Sequence, residues 1–153
     1  TAGSAHHVAE LNDKSVAAIA SSLAGDIYGL DVLKANVEDA EHNMTRFLIM
    51  AREPDDAIHD GNKVITTFVF RVRNVPAALY KALGGFATNG VNMTKLESYQ
   101  LGGSFNATQF YADIEGHPEE HLVRLALEEL QFFTSKLTVL GIYPAHPFRA
   151  QLP

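Results

Sequence analysis

Asn74-Val75-Pro76-Ala77-Ala78-Leu79-Tyr80, followed further on by Lys95-Leu96-Glu97-Ser98-Tyr99-Gln100, are the stretches that decide how this chain folds. The first reads as the turn that opens a helix, because Pro76 lies near a helix start, where a missing N–H costs nothing. The second reads as a strand. Ahead of both, Val64 to Arg73 alternates Phe68, Phe70 and Val72 against Thr67, Val69 and Arg71, a strand with one buried face. Leu79, Leu83 and Phe86 form a helical apolar stripe, and Asn89-Gly90 stops it. Met93 to Leu101 gives the next strand, Gly102-Gly103-Ser104 a hairpin turn, and Ala107 to Ile114 the returning strand. Pro118-Glu119-Glu120 begins a second helix with Leu122, Ala126, Leu130 and Phe133 on one side, and Lys136 to Tyr143 closes the sheet. The order is a ferredoxin-like βαββαβ layout over residues 64–153.

Upstream, residues 52–63 carry Arg52, Glu53, Pro54, Asp55, Asp56, Asp60 and Gly61 without helical or strand period, and read as a flexible linker. Charge changes sign around the same place. Residues 1–60 hold 11 acids and 4 Lys or Arg, a net of −7, and residues 61–153 hold 7 acids and 8 Lys or Arg, a net of +1. Neither half has the basic excess of a nucleic-acid binder. The sequence has no cysteine, so it offers neither a disulfide framework nor a thiolate metal site, which suits a cytoplasmic home. No apolar run is long enough to span a membrane.

Residues 1–51 alternate short strands and helices. Ser4 caps a first helix beside Gly3, Ser15 to Ala20 is a buried strand, and Ser21-Ser22 caps a helix that ends at Gly29. Leu30 to Leu33 and Thr45 to Met50 read as further strands. So short a segment cannot bury a full core alone. It should need a preceding portion, a partner chain, or both.

Several motifs in order give the chain a family resemblance: Thr1-Ala2-Gly3-Ser4-Ala5, Ala17-Ala18-Ile19-Ala20, Tyr28-Gly29-Leu30 and Asn43-Met44-Thr45-Arg46-Phe47. They resemble the C-terminal part of the prephenate dehydratase catalytic region, a partial periplasmic-binding-protein-like lobe. The downstream stretches resemble the ACT regulatory domain of the same family, whose GALV and ESRP signatures stand here as Ala77-Ala78-Leu79-Tyr80 and Glu97-Ser98-Tyr99-Gln100. The fold so implied is α/β for residues 1–51 and α+β for 64–153.

The resemblance implies a cofactor-free conversion of prephenate to phenylpyruvate, CO2 and water. Aromatisation drives that reaction, so the site chiefly has to hold two carboxylates and help the ring hydroxyl leave. The family's Thr-Arg-Phe motif carries the catalytic role to Thr45, as a hydrogen-bonding or relaying hydroxyl. Ser4, Asn43 and Arg46 are the candidates for holding substrate. On a regular strand Thr45 and Arg46 face opposite ways. A segment of net −7 is a poor host for a dianion, so helix N-termini and Arg46 would supply the positive field.

The resemblance further implies feedback by L-phenylalanine, bound where two sensor domains meet in a homodimer or homotetramer. The contact candidates are Asn74, Val75, Pro76, Ala77, Ala78 and Leu79 in the loop and helix start, and Asn92, Thr94, Leu96, Glu97 and Ser98 on the second strand. Ala77 stands for the family's usual glycine and Tyr99-Gln100 for Arg-Pro, which bears on affinity and selectivity. His117 and His121 are four apart, but the helix begins between them and no third ligand is evident, so they read as surface histidines and no metal is expected. As an isolated segment the chain is expected to be inactive. The rival reading is a stand-alone amino-acid-binding ACT module without chemistry, separated from the first by whether a substrate-binding lobe is encoded upstream.

Overall fold

A computed structural model describes residues 1–40, 45–103 and 107–151. The chain divides into two compact units, Thr1–Ile49 and Met50–Pro153. No helix among the described residues is long and apolar enough to cross a membrane.

The second unit is built on β1 (Val64–Val72), α3 (Ala78–Thr88), β2 (Met93–Gln100), β3 (Ala107–Glu115), α4 (His121–Phe133) and β4 (Thr134–Pro144), the expected ferredoxin-like order. The four strands form one antiparallel sheet, ordered β2-β3-β1-β4. Alternation along β1 sends Phe68, Phe70 and Val72 beneath the two helices, where they meet Phe86 of α3 and Val123, Ala126 and Leu130 of α4. Phe68 stacks on Phe86 with ring centres 5.9 Å apart, and Phe70 on Phe110 at 5.2 Å. The α3 stripe holds as read, with Ala82 and Phe86 buried and Leu79 and Leu83 packed at the margin. The α4 stripe is rotated. Leu122 is 53% exposed and Val123 takes its place inside, since 123, 126 and 130 share the helical face that meets the sheet.

The outer sheet face is not uniformly solvated. Thr67 is buried, donating to Asp113 Oδ1 at 2.6 Å, so its oxygen accepts from the Tyr143 hydroxyl at 2.8 Å. A fully buried carboxylate persists only when bonded in this way.

Residues 52–63, read as a free joint, are in fact fastened to the second unit. Ala57 donates its amide to the Ile142 carbonyl at 2.8 Å, and the Ile142 amide donates to Asp56 Oδ1 at 2.9 Å, on the outer edge of β4. Asp60 accepts from the Asn62 amide, which holds its carboxyl below the usual carboxylate range.

In the first unit α1 spans Ala2–Leu11 and α2 spans Ser22–Tyr28. The second helix follows the sequence closely: Ser21 caps it through Ala24 N–H at 3.2 Å, and Gly29 closes it with φ of 64°. Among the described residues this unit has no strand. The segments expected as strands at 15–20, 30–33 and 45–50 run without ladder partners, leaving Ile19, Leu33, Phe47 and Ile49 largely exposed. Strand-forming residues alone do not make a strand, because the ladder needs a neighbour to accept its hydrogen bonds.

Helix α3 starts from Ala77, whose φ of 60° and ψ of 16° lie in the left-handed region. A side chain with a β-carbon resists this by about 1–2 kcal/mol, whereas glycine adopts it freely. Ala77→Gly should therefore stabilise the protein by up to about 1 kcal/mol in urea denaturation, after about 0.5–1 kcal/mol is lost to glycine's freer unfolded chain. Unchanged or lower stability would show that the loop does not hold this conformation. In the same assay Leu130→Ala should cost about 2–5 kcal/mol, and Leu122→Ala should stay within about 0.5 kcal/mol of the parent.

Candidate functional site

In the first unit a groove of about 610 Å³ lies between the start of α1 and the extended residues beyond it, lined by Ser4, His7 and Val8 on one side and Val16 to Ile19 on the other. Ser4 reaches this groove from within the helix, because the N-cap is Thr1 and the helix begins a turn earlier than its small residues suggest. Thr45 and Arg46 do not line it. Both are exposed on extended chain, and Asn43 lies outside the described residues. Of the candidate catalytic and substrate residues that are described, Ser4 is the one that lines this groove.

The second unit offers a more complete arrangement at the Asn74-Val75-Pro76-Ala77 turn, which is exposed throughout. Val75 N–H closes on the Arg73 carbonyl at 2.9 Å, and Ala78 N–H on Val75 at 3.2 Å. The next two amides, of Leu79 and Tyr80, find no backbone acceptor among the described residues. Two free amides at the positive end of an 11-residue helix suit a carboxylate. The missing N–H of Pro76 and the small side chains of Ala77 and Ala78 keep the approach open.

On β2 the register sorts the remaining candidates. Leu96 pairs with Ala112 and Ser98 with Phe110, so both lie on the helix side of the sheet, with Leu96 40% exposed at the edge. Glu97 pairs with Tyr111 and faces the other way. There it meets Lys95 at 3.0 Å and accepts the Tyr99 hydroxyl at 2.7 Å, which raises the Tyr99 phenol above its ordinary pKa. A ligand touching Leu96 and Ser98 therefore cannot also use the Glu97 carboxylate of the same chain. Asn92 is bonded to Glu115 at 2.9 Å, beside the start of β1. The Asn74 turn follows the end of β1, so Asn92 and Thr94 lie at the opposite end of the sheet from it.

The histidines behave differently from their surface reading. His117 is only 6% exposed, and its ring is fully employed: Nδ1 accepts from Glu119 N–H at 3.1 Å, so Nε2 donates to the Ala57 carbonyl at 3.0 Å. His59 stacks on it with ring centres 5.1 Å apart and planes within 8°. His59, His117 and Glu119 are close enough together to suggest a metal site. Near-parallel rings, however, aim their lone pairs along planes that do not meet, so both cannot ligate one ion as placed. Nothing along the chain signals this cluster, since His59 lies far from His117 in sequence. His121 instead contacts Arg124 at 3.2 Å.

The sequence profile of the prephenate dehydratases matches residues 1–55. A bifunctional N-acyl-homoserine lactone acylase/prephenate dehydratase from Komagataeibacter europaeus is 56% identical over 97% of this chain, and the match spans 53% of that protein. The solved structure of a quorum-quenching acylase superposes on the whole chain with a TM-score of 0.89 and 55% identity, covering 55% of its own length. A prephenate dehydratase from Arthrobacter aurescens in complex with L-Phe superposes on 62% of the chain with a TM-score of 0.54 and 29% identity, covering 31% of its length. The chain thus spans about half or less of the proteins it matches, and is similar to the C-terminal part of the prephenate dehydratases among them.

Proposed function

We propose that the protein containing this chain converts prephenate to phenylpyruvate, CO2 and water in aromatic amino acid biosynthesis, and that residues 64–153 are an ACT domain through which L-phenylalanine restrains it. The observation that carries the sensing half is the Asn74–Tyr80 turn, with two unclaimed amides at a helix start beside small side chains. The amino acid's carboxylate takes those amides, and its ring takes the apolar edge at Leu96. Asn92 and Thr94 lie at the far end of the sheet, so a ligand that touches them and the turn together needs a second copy of the chain. That requirement supports a homodimer or homotetramer with the ligand between sensors. Thr45 acts as the hydroxyl that hydrogen-bonds the departing ring oxygen, and Ser4, Asn43 and Arg46 hold the substrate carboxylates. That assignment rests on the ordered Asn43-to-Phe47 motif, and the pocket that completes it comes from chain beyond these residues. Phenylalanine bound at the sensor pair favours a less active arrangement of the catalytic lobes.

The bifunctional relative from Komagataeibacter europaeus, 56% identical to this chain, supports a second reading, in which the whole protein also acts as an acylase on N-acyl-homoserine lactones. Turnover of such a lactone by the complete protein would establish that activity, and none at high enzyme concentration would remove it.

Two outcomes test the first reading. L-phenylalanine should raise the melting temperature of the 153-residue chain, because a ligand held at about 100 times its Kd adds about 2.7 kcal/mol to the folded state. No shift at millimolar ligand would sink the sensing role. In the complete protein Thr45→Ala should cut kcat by roughly 10²-fold or more, the usual worth of a positioned proton-handling group, with the melting temperature unchanged. Near-parental turnover would clear Thr45.

A further inference from the structure

On the outer face of the sheet, away from both helices, β4, β1 and β3 set Lys136, Arg71 and Gln109 side by side in one cross-strand row. Like charges placed directly opposite each other repel, and a sheet normally avoids the pairing or inserts an acid. Neither is done here. The ion pairs His6–Glu10, His59–Glu119, Lys95–Glu97 and Arg124–Glu128 involve neither residue, and among the described residues neither Arg71 nor Lys136 is paired with a carboxylate. Arg71 is nonetheless held in place. Its Nε donates to Gln109 Oε1 at 2.9 Å, which fixes the plane of the guanidinium and leaves its terminal nitrogens to project over the face. The β1–β4 register slips between Arg71 and Val72, and a groove of about 140 Å³ opens here, lined also by Val69 and its cross-strand partner Thr138.

We propose that this groove is a binding site for a small, doubly charged oxyanion: inorganic phosphate, a phosphate ester or a compact dicarboxylate. Two unneutralised cations match two negative charges. A locked guanidinium presents parallel N–H donors to a planar or tetrahedral oxyanion, and the Lys136 ammonium adds a point charge beside it. Thr138 and the Gln109 amide nitrogen supply neutral donors on either flank. Zwitterionic amino acids are excluded, since their ammonium would face Arg71 and Lys136. The ligand class therefore differs from that proposed for the Asn74 turn, and the site stands or falls independently of it. Strand β1 runs from Arg71 straight into that turn, so an anion here grips the end of the strand that carries it.

The test is the melting temperature of the 153-residue chain at fixed pH and matched ionic strength, in millimolar phosphate, malonate, acetate or chloride, for the parent, Lys136→Glu and Arg71→Gln. Phosphate or malonate should raise the parent's midpoint by ~4 °C or more near saturation, with acetate and chloride without effect. A response to phosphate alone assigns the site to phosphates; a response to malonate as well assigns it to dianions generally. Lys136→Glu should melt higher than the parent without added anion, because Arg71 gains a carboxylate partner, and should lose the dianion response, as should Arg71→Gln. Equal responses to phosphate and chloride, or a Lys136→Glu protein that responds like the parent, would overturn the assignment.

Discussion

The second unit depends on how closely its two helices approach each other over a single sheet. A β-carbon on Gly85 of α3 would lie 2.9 Å from the Glu129 β-carbon of α4, nearer than packed atoms tolerate. The absent side chain lets the helices share one sheet face. That shared cover keeps Phe68 and Phe70 dry and allows the Phe68–Phe86 stack. At the other end of α4, Gly116 approaches Val123 as tightly, with φ of 111° that a larger residue would resist. Two glycines thus set the depth of the helix layer, and the aromatic core fills the space they define.

The first unit has no equivalent closure. Its two helices are capped and well formed, but its remaining apolar residues face outward and its extended segments lack ladder partners. Such a surface is what a portion of a larger α/β lobe presents when described by itself, in keeping with a chain that matches about half of its relatives. The Asn74–Ala77 turn, by contrast, is complete in its local geometry.

Legibility in the sequence followed the range of the forces involved. Strand alternation at Phe68, Phe70 and Val72, the Ser21 cap and the Gly29 stop are local, and each was readable from a few neighbouring residues. Choosing Leu122 over Val123 for the buried stripe was a near tie on the helical wheel, which the direction of the sheet decides. The strand expected at Thr45–Met50 failed because propensity cannot provide a partner. His117 was misread as a surface residue because its burial depends on His59 and Ala57, drawn in by a segment whose composition resembles a loose joint. The opposed Arg71 and Lys136 were likewise invisible, since a β-register spanning much of the domain brings them together. The turn and helix start at Asn74 to Leu79 were legible, but the sorting of Glu97 away from Leu96 and Ser98 needed the strand pairing.

Ala77 has a bearing on switching. Its β-carbon keeps the turn about 1 kcal/mol above where a glycine would rest, which weights the ratio between two turn shapes by about fivefold. Under the proposed sensing role the ligand takes the amides of this same turn, so it must supply that difference to hold the shape it binds. Alanine at this one position would make the response threshold higher than in a relative built with glycine.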